Sequence, residues 1–176
     1  MKKRNWLIVL VTILIMSSIT LFIPVRSALI FYEKNSQDLV AYLPIKEGQT
    51  FSITFVHSIH LSDVVEKYEI TNDYKIKQYE MVFEQFGIGM PSTVEGDEQL
   101  VYEGGKYYLT NLDNVFDSLK VRNGKTVSKH RLTWVDHNGN EHTVPFNDYF
   151  EPGNWYTLKV ENLSLFTSWK EVKIHD

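Results

Sequence analysis

Apolar and polar residues alternate at every second position through most of the chain after residue 28. Phe51, Ile53 and Phe55, for example, alternate with Ser52 and Thr54. A period of two is typical of a β-strand with one buried face. The same alternation recurs at 67–70, 131–134 and 156–161. The pattern predicts about ten to twelve short strands.

Turn signals separate these strands. Asn138-Gly139 predicts a two-residue hairpin turn, and reversals are also expected at 71–73, 103–106 and 122–125. Strands at this spacing predict an all-β domain, an antiparallel β-sandwich or a barrel-like fold. No segment of 29–176 has a clear 3.6-residue stripe, and the candidates for a short helical turn are 91–97 and 146–152.

The N-terminal region differs from the rest. Trp6 to Val25 is a run of 20 residues without a charge, enough to span a hydrocarbon core of ~30 Å as one helix. Lys2, Lys3 and Arg4 precede it, and the positive-inside tendency places the N-terminus in the cytoplasm. We therefore expect residues 1–28 to be a cytoplasmic basic start with a transmembrane signal anchor, and 29–176 to be an extracytoplasmic β domain.

A cleaved signal peptide, cut near Val25 to Ala28, is the alternative. The apolar run is longer than a usual signal core, and no Ala-x-Ala site follows it, so the sequence favours the anchor. Both interpretations place the β domain outside the cytoplasm, at the cell membrane.

Composition narrows the functional classes. The absence of cysteine excludes a disulfide scaffold, a thiol enzyme and a zinc finger. Residues 1–26 hold four of the 18 basic residues and no acid, which leaves 14 basic against 22 acidic residues, a net charge of −8. A domain this acidic is not expected to bind nucleic acid or to lie flat on an anionic membrane.

The segment from Phe55 to Glu66 carries the first candidate chemistry. Strand parity places His57 and Glu66 on the inner faces of two adjacent strands, and we expect the two side chains to pair, since each is costly to bury alone. Such a pair could hold the hairpin, bind a ligand or serve a hydrolase. Ser58 falls on the opposite face, which argues against a His–Ser nucleophile pair.

His57, His60, Asp63 and Glu66 are also spaced three residues apart and are all possible metal ligands. They would share one face of a helix, but the segment is predicted to be strand, loop and strand. We therefore predict no metal site and no cofactor.

A second unusual segment runs from Gly87 through Gly89 to Pro91. It lacks the Lys-Ser/Thr ending of a phosphate-binding loop, and its flanks are acidic. The glycines indicate either positive φ angles or a backbone that approaches a ligand or partner closely.

Aromatic residues are expected mostly in the core, with a sugar-binding platform as the alternative: Tyr107, Tyr108, Trp134, Tyr149, Phe150, Trp155, Phe166 and Trp169.

Together the two segments resemble the bacterial domain-of-unknown-function family eighteen-fifty. Its members resemble a pattern of a strand ending in His-Ser, a Glu about nine residues on, and a strand leading into Gly-x-Gly-x-Pro. The resemblance extends over roughly residues 38 to 165. It implies six motif residues that could bind, catalyse or only contribute to the fold: His57, Ser58, Glu66, Gly87, Gly89 and Pro91. We assign these six as a ligand-binding or structural motif and assign no catalytic residue.

The resemblance also implies an association with membrane transporters. Members look like neighbours or fusion partners of TAXI-type tripartite ATP-independent periplasmic (TRAP) transporters. The expected function is a membrane-anchored, extracytoplasmic, non-catalytic accessory protein that contacts the permease or the solute-binding protein. A small-ligand-binding or hydrolase-like site at His57 and Glu66, and a cell-surface structural or adhesion module, are the alternatives.

Overall fold

The computed structural model describes residues 2–34, 36, 38–87, 89–91 and 93–175, with side chains from residue 5 onward. These residues form eleven strands, two α-helices and one 3-10 turn, in this order: α1 (Lys2–Thr20), β1 (Pro24–Glu33), β2 (Leu39–Pro44), β3 (Thr50–Val56), β4 (Asp63–Ile70), β5 (Ile76–Phe83), β6 (Gln99–Glu103), β7 (Lys106–Phe116), β8 (Leu119–Arg122), β9 (Arg131–Val135), β10 (Glu141–Pro145), the 3-10 turn (Phe146–Asp148), β11 (Trp155–Ser164) and α2 (Leu165–Lys170).

Helix α1 is shorter than the predicted apolar helix. It ends at Thr20, and β1 already begins at Pro24, because proline cannot continue a helical hydrogen-bond ladder and disfavours helix in the residue before it. Every described side chain of α1 is exposed. No helix in the described part of the chain combines the length and the hydropathy that crossing a membrane requires. The side chains of Lys2, Lys3 and Arg4, which carry the predicted orientation, lie outside the described part.

The strands form two open antiparallel sheets. The smaller sheet has the order β2-β1-β11-β8, and the larger has the order β10-β9-β3-β4-β5-β7-β6. The main hydrophobic cluster contains residues of both sheets, such as Phe31 and Leu158 of the smaller and Ile53 and Leu132 of the larger. The predicted antiparallel β-sandwich is therefore confirmed, and neither sheet closes into a barrel.

A second hydrophobic cluster lies on the large sheet beside the first. It comprises Val64, Met81, Phe83, Leu109 and Leu112, with Phe55, Met90 and Tyr107 packed against it. The strands that contribute residues to this cluster are β3, β4, β5 and β7. The inner face of the large sheet is therefore apolar over most of its width.

Strand parity predicted the inner faces correctly. Phe51 and Ile53 are 2% and 1% exposed, and Leu132 is 0% exposed.

The turn at Asn138-Gly139 differs from the prediction. Asp136 N–H donates to Asn140 O, so three residues rather than two lie between the paired ends. The Asp136 carboxylate accepts the N–H groups of Asn138 and Asn140 and stabilises this wider turn.

Asn123, which the sequence assigned only to a reversal, is 1% exposed. Its side-chain amide donates to Asn147 Oδ1 at 2.9 Å and to the carbonyl of Phe150 at 2.8 Å. Its backbone N–H donates to Asn154 O. One buried amide therefore joins the end of β8 to the segment that carries Phe150 into the core.

We predict that Asn123→Ala lowers the free energy of unfolding by about 2–3 kcal/mol, because the Phe150 carbonyl loses its buried donor. Urea unfolding followed by circular dichroism measures the change. Asn138→Ala, at an exposed position in the β9–β10 turn, is the matched control and should stay within about 0.5 kcal/mol of the parent protein. Equal midpoints for the two variants would contradict the structural role of Asn123.

Candidate functional site

The loop between β3 and β4 begins with His57, which is 8% exposed. Its backbone closes the loop in both directions: His57 N–H donates to Ser62 O, and Leu61 N–H donates to His57 O, each at 2.9 Å. Ser58 lies in the turn and is exposed. The predicted burial of His57 is confirmed, whereas Ser58 is exposed in a turn rather than on the opposite face of a strand, because β3 ends at Val56.

The imidazole of His57 also holds the loop. The N–H groups of Ile59 and His60 point at His57 Nδ1, at 3.3 and 3.4 Å. Because Nδ1 accepts these bonds, the proton of the neutral ring belongs on Nε2. The ring also stacks on His60, with centroids 5.0 Å apart and planes 20° apart. His57 therefore orders the turn that follows it.

Gly87 lies directly against this histidine pair. A Cβ atom at Gly87 would lie 2.6 Å from His60 Nε2 and 3.3 Å from His57 Cε1. His60 Nε2 is buried and has no hydrogen-bond partner among the described residues. The His-Ser half and the Gly-x-Gly half of the motif thus meet, and Gly87 is required by close approach to the two rings.

Gly89 has a different reason. Its φ is +89°, a region that favours glycine, and a Cβ there would meet nothing within 4 Å. Met90 N–H donates to Gly87 O at 3.0 Å, and Met90 packs against the second hydrophobic cluster just before Pro91. The positive φ that the sequence left open therefore applies to Gly89, whereas Gly87 closely approaches two histidines of the same chain rather than a ligand or partner.

Glu66 does not pair with His57, so that prediction is wrong. The β3–β4 register places Glu66 opposite Ile53, four positions or about 13 Å along the strand from His57. Glu66 instead accepts the Tyr68 hydroxyl at 2.8 Å. It does lie on the inner face as predicted, because Ile53 and Met81 flank it on β3 and β5.

Burial dominates the electrostatics of this carboxyl. Desolvation raises the pKa of Glu66 above its ordinary value of 4.5, and the hydrogen bond from Tyr68 offsets part of the shift. Burial and the neighbouring carboxylate in turn raise the pKa of the Tyr68 hydroxyl. Glu66 thus lies at the seam between the two hydrophobic clusters, with a partner two residues along its own strand.

The four residues of the three-residue spacing separate into different contacts. His57 stacks on His60, Glu66 accepts from Tyr68, and Asp63 pairs with Arg131 at 2.6 Å. No group of three possible metal ligands converges anywhere in the described part of the chain.

The sequence did not predict two features near the motif. His130 stacks on Phe55 and packs at a tilt against Phe146, and burial lowers its pKa to about 4. Leu61 has a φ of +56° while its side chain is 67% exposed. Neither has a sequence signal, because Leu gives no indication of a left-handed backbone and a lone histidine gives none of burial.

An open cleft of about 1080 Å³ lies at the opposite end of the sandwich. The start of β1, the turn before β3 and the β9–β10 hairpin line it, and Arg26, Lys46, Trp134 and Lys173 are among its residues. None of the six candidate residues of the motif lines this cleft. The contact of Gly87 with His57 and His60 is therefore a packed loop-to-loop contact away from this cleft.

The fold and this contact define an antiparallel β-sandwich whose β3–β4 loop is braced by a glycine-containing segment. The sequence model of the domain of unknown function DUF1850 matches residues 51–143, more than half of the chain. The chain belongs to this family. No curated protein and no solved structure matches the chain.

We predict that Gly87→Ala lowers the free energy of unfolding by about 1–3 kcal/mol, because the methyl group overlaps the His60 ring. Urea unfolding measures the loss. In a double-mutant cycle, His60→Ala in the same chain removes the overlapping atoms and should restore part of it. Strictly additive effects of the two substitutions would show that Gly87 does not press on His60.

A second prediction concerns pH. Since the folded-state pKa of Glu66 is raised, the unfolded chain ionises first, and this carboxyl lowers stability as pH rises above 4.5 towards the raised value. Glu66→Gln stays neutral and keeps an acceptor for Tyr68. The free energy of unfolding of Glu66→Gln, relative to the parent, should therefore increase from pH 4.5 to pH 7 and be constant below.

The difference in free energy of unfolding between Glu66→Gln and the parent is the quantity to measure. His130, whose pKa is lowered from 6.5 to about 4 on folding, also makes the stability of both proteins depend on pH. Denaturant unfolding at a series of pH values gives this difference. Glu69→Gln, on the partly exposed face of the same strand, is the matched control. Parallel stability curves for Glu66→Gln and the parent protein would rule out a raised pKa at Glu66.

Proposed function

We propose that this chain is a membrane-anchored accessory protein of a TAXI-type TRAP transporter, with its β domain outside the cytoplasm. Its role is recognition of a transporter subunit, the permease or the solute-binding protein, without catalysis. Membership of the DUF1850 family and the exposed apolar side chains of α1 support the proposal. The observation that carries it is the apolar tip of the β3–β4 loop.

Ile59 and Leu61 at this tip are 60% and 67% exposed. Leu61 also holds a left-handed backbone conformation, which costs an ordinary residue roughly 1–2 kcal/mol. Strain of this kind persists where the surroundings enforce it and is concentrated at functional positions. Here the bonds to His57 enforce the loop and present two large apolar side chains to solvent. A protein partner that covers them is the function this geometry supports best.

The contacts of the motif favour recognition over chemistry. His57 Nδ1 accepts from two backbone N–H groups, and Ser58 lies exposed in the turn. Glu66 is about 13 Å along the sheet from His57. A base, a nucleophile and an orienting carboxylate therefore do not share one place.

The position of the loop favours a partner away from the membrane. The cleft holds the start of β1 and the turn before β3, so both strands start at the same end. The seven residues of β3 then extend about 20 Å to the His57 loop. An anchor at α1 would direct the loop away from the bilayer, which suits the solute-binding protein of the transporter.

The test is recovery of partners from native membranes in mild detergent, with the tagged full-length chain as bait and mass spectrometry as the readout. Leu61→Gly removes the apolar side chain and relieves the left-handed strain. We expect it to keep or raise the free energy of unfolding and to lower recovery of the transporter subunit several-fold.

Tyr74→Gly is the matched control. Tyr74 also has a left-handed backbone, with φ +59°, and is 45% exposed, but it lies in the β4–β5 turn at the other end. It should recover as much transporter subunit as the parent. Recovery of no permease and no solute-binding protein by the parent, while other membrane complexes stay intact, would refute the accessory role. Undiminished recovery by Leu61→Gly would refute the loop as the docking element.

A further inference from the structure

Helix α2 lies against the segment that follows α1. Phe166 N–H donates to Leu21 O at 3.0 Å, and the rings of Phe166 and Phe22 are 5.0 Å apart. Ser164 caps the helix by accepting the N–H of Thr167 at 3.0 Å. The short helix is therefore held beside the point where the apolar N-terminal helix ends.

The outer face of α2 is apolar and unusually exposed. Trp169 is 84% exposed and Phe166 is 42% exposed, and their spacing of three residues places both on one side of the helix. Phe22 and Val172, 58% and 53% exposed, extend the same region along the chain. The sequence predicted that the aromatic residues are mostly core. Trp134 and Phe150 are buried as predicted, but Trp169 is not.

Three basic residues lie on or near the segments that adjoin this aromatic face, although the chain after residue 26 carries a net charge of −8. Lys170 follows Trp169 directly, and Arg26 and Lys173 line the cleft together with Tyr42, whose hydroxyl donates to Ser168 O of α2. Lys170 pairs with Glu171 at 3.2 Å, whereas Arg26 and Lys173 have no ion pair among the described residues. Exposed tryptophan beside lysine and arginine is the composition found where proteins meet the headgroup region of a bilayer.

We propose that α2 is a second membrane contact, in which Phe166 and Trp169 insert into the bilayer interface and Arg26 and Lys173 meet lipid phosphates. The proposal rests on the membrane anchoring proposed above. The occupant is lipid because the face is continuous with the end of α1, through the Phe22–Phe166 contact and the Leu21 hydrogen bond. A bilayer that receives α1 reaches this face within a few residues of chain.

Two contacts orient a domain where one only tethers it. An anchor at α1 alone leaves the domain free to turn about the axis of that helix. With α2 in the interface, the cleft end of the sandwich faces the membrane and the His57 loop faces away. The membrane contact therefore determines which surface is presented to a soluble partner.

The test uses the full-length chain in vesicles of phosphatidylcholine and phosphatidylglycerol, with a phosphatidylcholine brominated near the headgroup as the quencher of tryptophan fluorescence. The chain has four tryptophans: Trp6, Trp134, Trp155 and Trp169. We expect Trp6 and Trp169 to be quenched, so Trp169→Phe should reduce the quenched fraction from two of four tryptophans to one of three. Circular dichroism verifies that the variant folds.

Trp155→Phe is the matched control, because Trp155 is 41% exposed but lies at the far end of β11, about 30 Å from α2. It should leave the quenched emission unchanged. If Trp6→Phe reduces quenching and Trp169→Phe does not, the anchor stands and the α2 contact is overturned. If neither substitution changes quenching, the anchor and the α2 contact both fail.

Discussion

Antiparallel pairing between β3 and β4 determines where each residue of the family motif lies. Opposite residues of such a pair share a face, so Ile53 in the main core places Glu66 in the apolar interior. The same ladder ends at Val56 and Asp63 and leaves His57 at the mouth of the loop. A slip of one residue would expose Ile53 together with the rest of the buried face, and the core excludes it.

This pairing also explains how a carboxyl is tolerated in the interior. Glu66 lies where the two hydrophobic clusters adjoin, and Tyr68, on the same face of β4, donates to it. A buried polar group without a partner would cost far more than this satisfied one. The hydroxyl of Tyr68 meets the carboxyl while its ring stacks on Phe51 at 5.0 Å in the main core. The Glu66–Tyr68 pair thus lies along β4 between the two clusters.

The two ends of the sandwich differ in chemistry. At one end, hydrogen bonds to His57 and the close approach of Gly87 hold a loop whose tip is apolar. At the other end, the cleft, the cations and the exposed face of α2 lie beside the end of α1. The strands between them are hydrogen-bonded to their neighbours within each sheet. Such a domain can meet a membrane and a protein partner at once, because neither contact needs the other's surface.

The sequence by itself determined the strands, their inner faces and the residues of the motif. An alternation with a period of two states which side chains share a face, and burial of Phe51, Ile53 and Leu132 follows from it. Only the tertiary structure decided which residues of the motif touch. Gly87 meets His57 across 30 positions of chain, Glu66 finds Tyr68 rather than His57, and Trp169 stays in solvent. Alternation specifies a face, whereas register, loop closure and exposure depend on how distant segments pack.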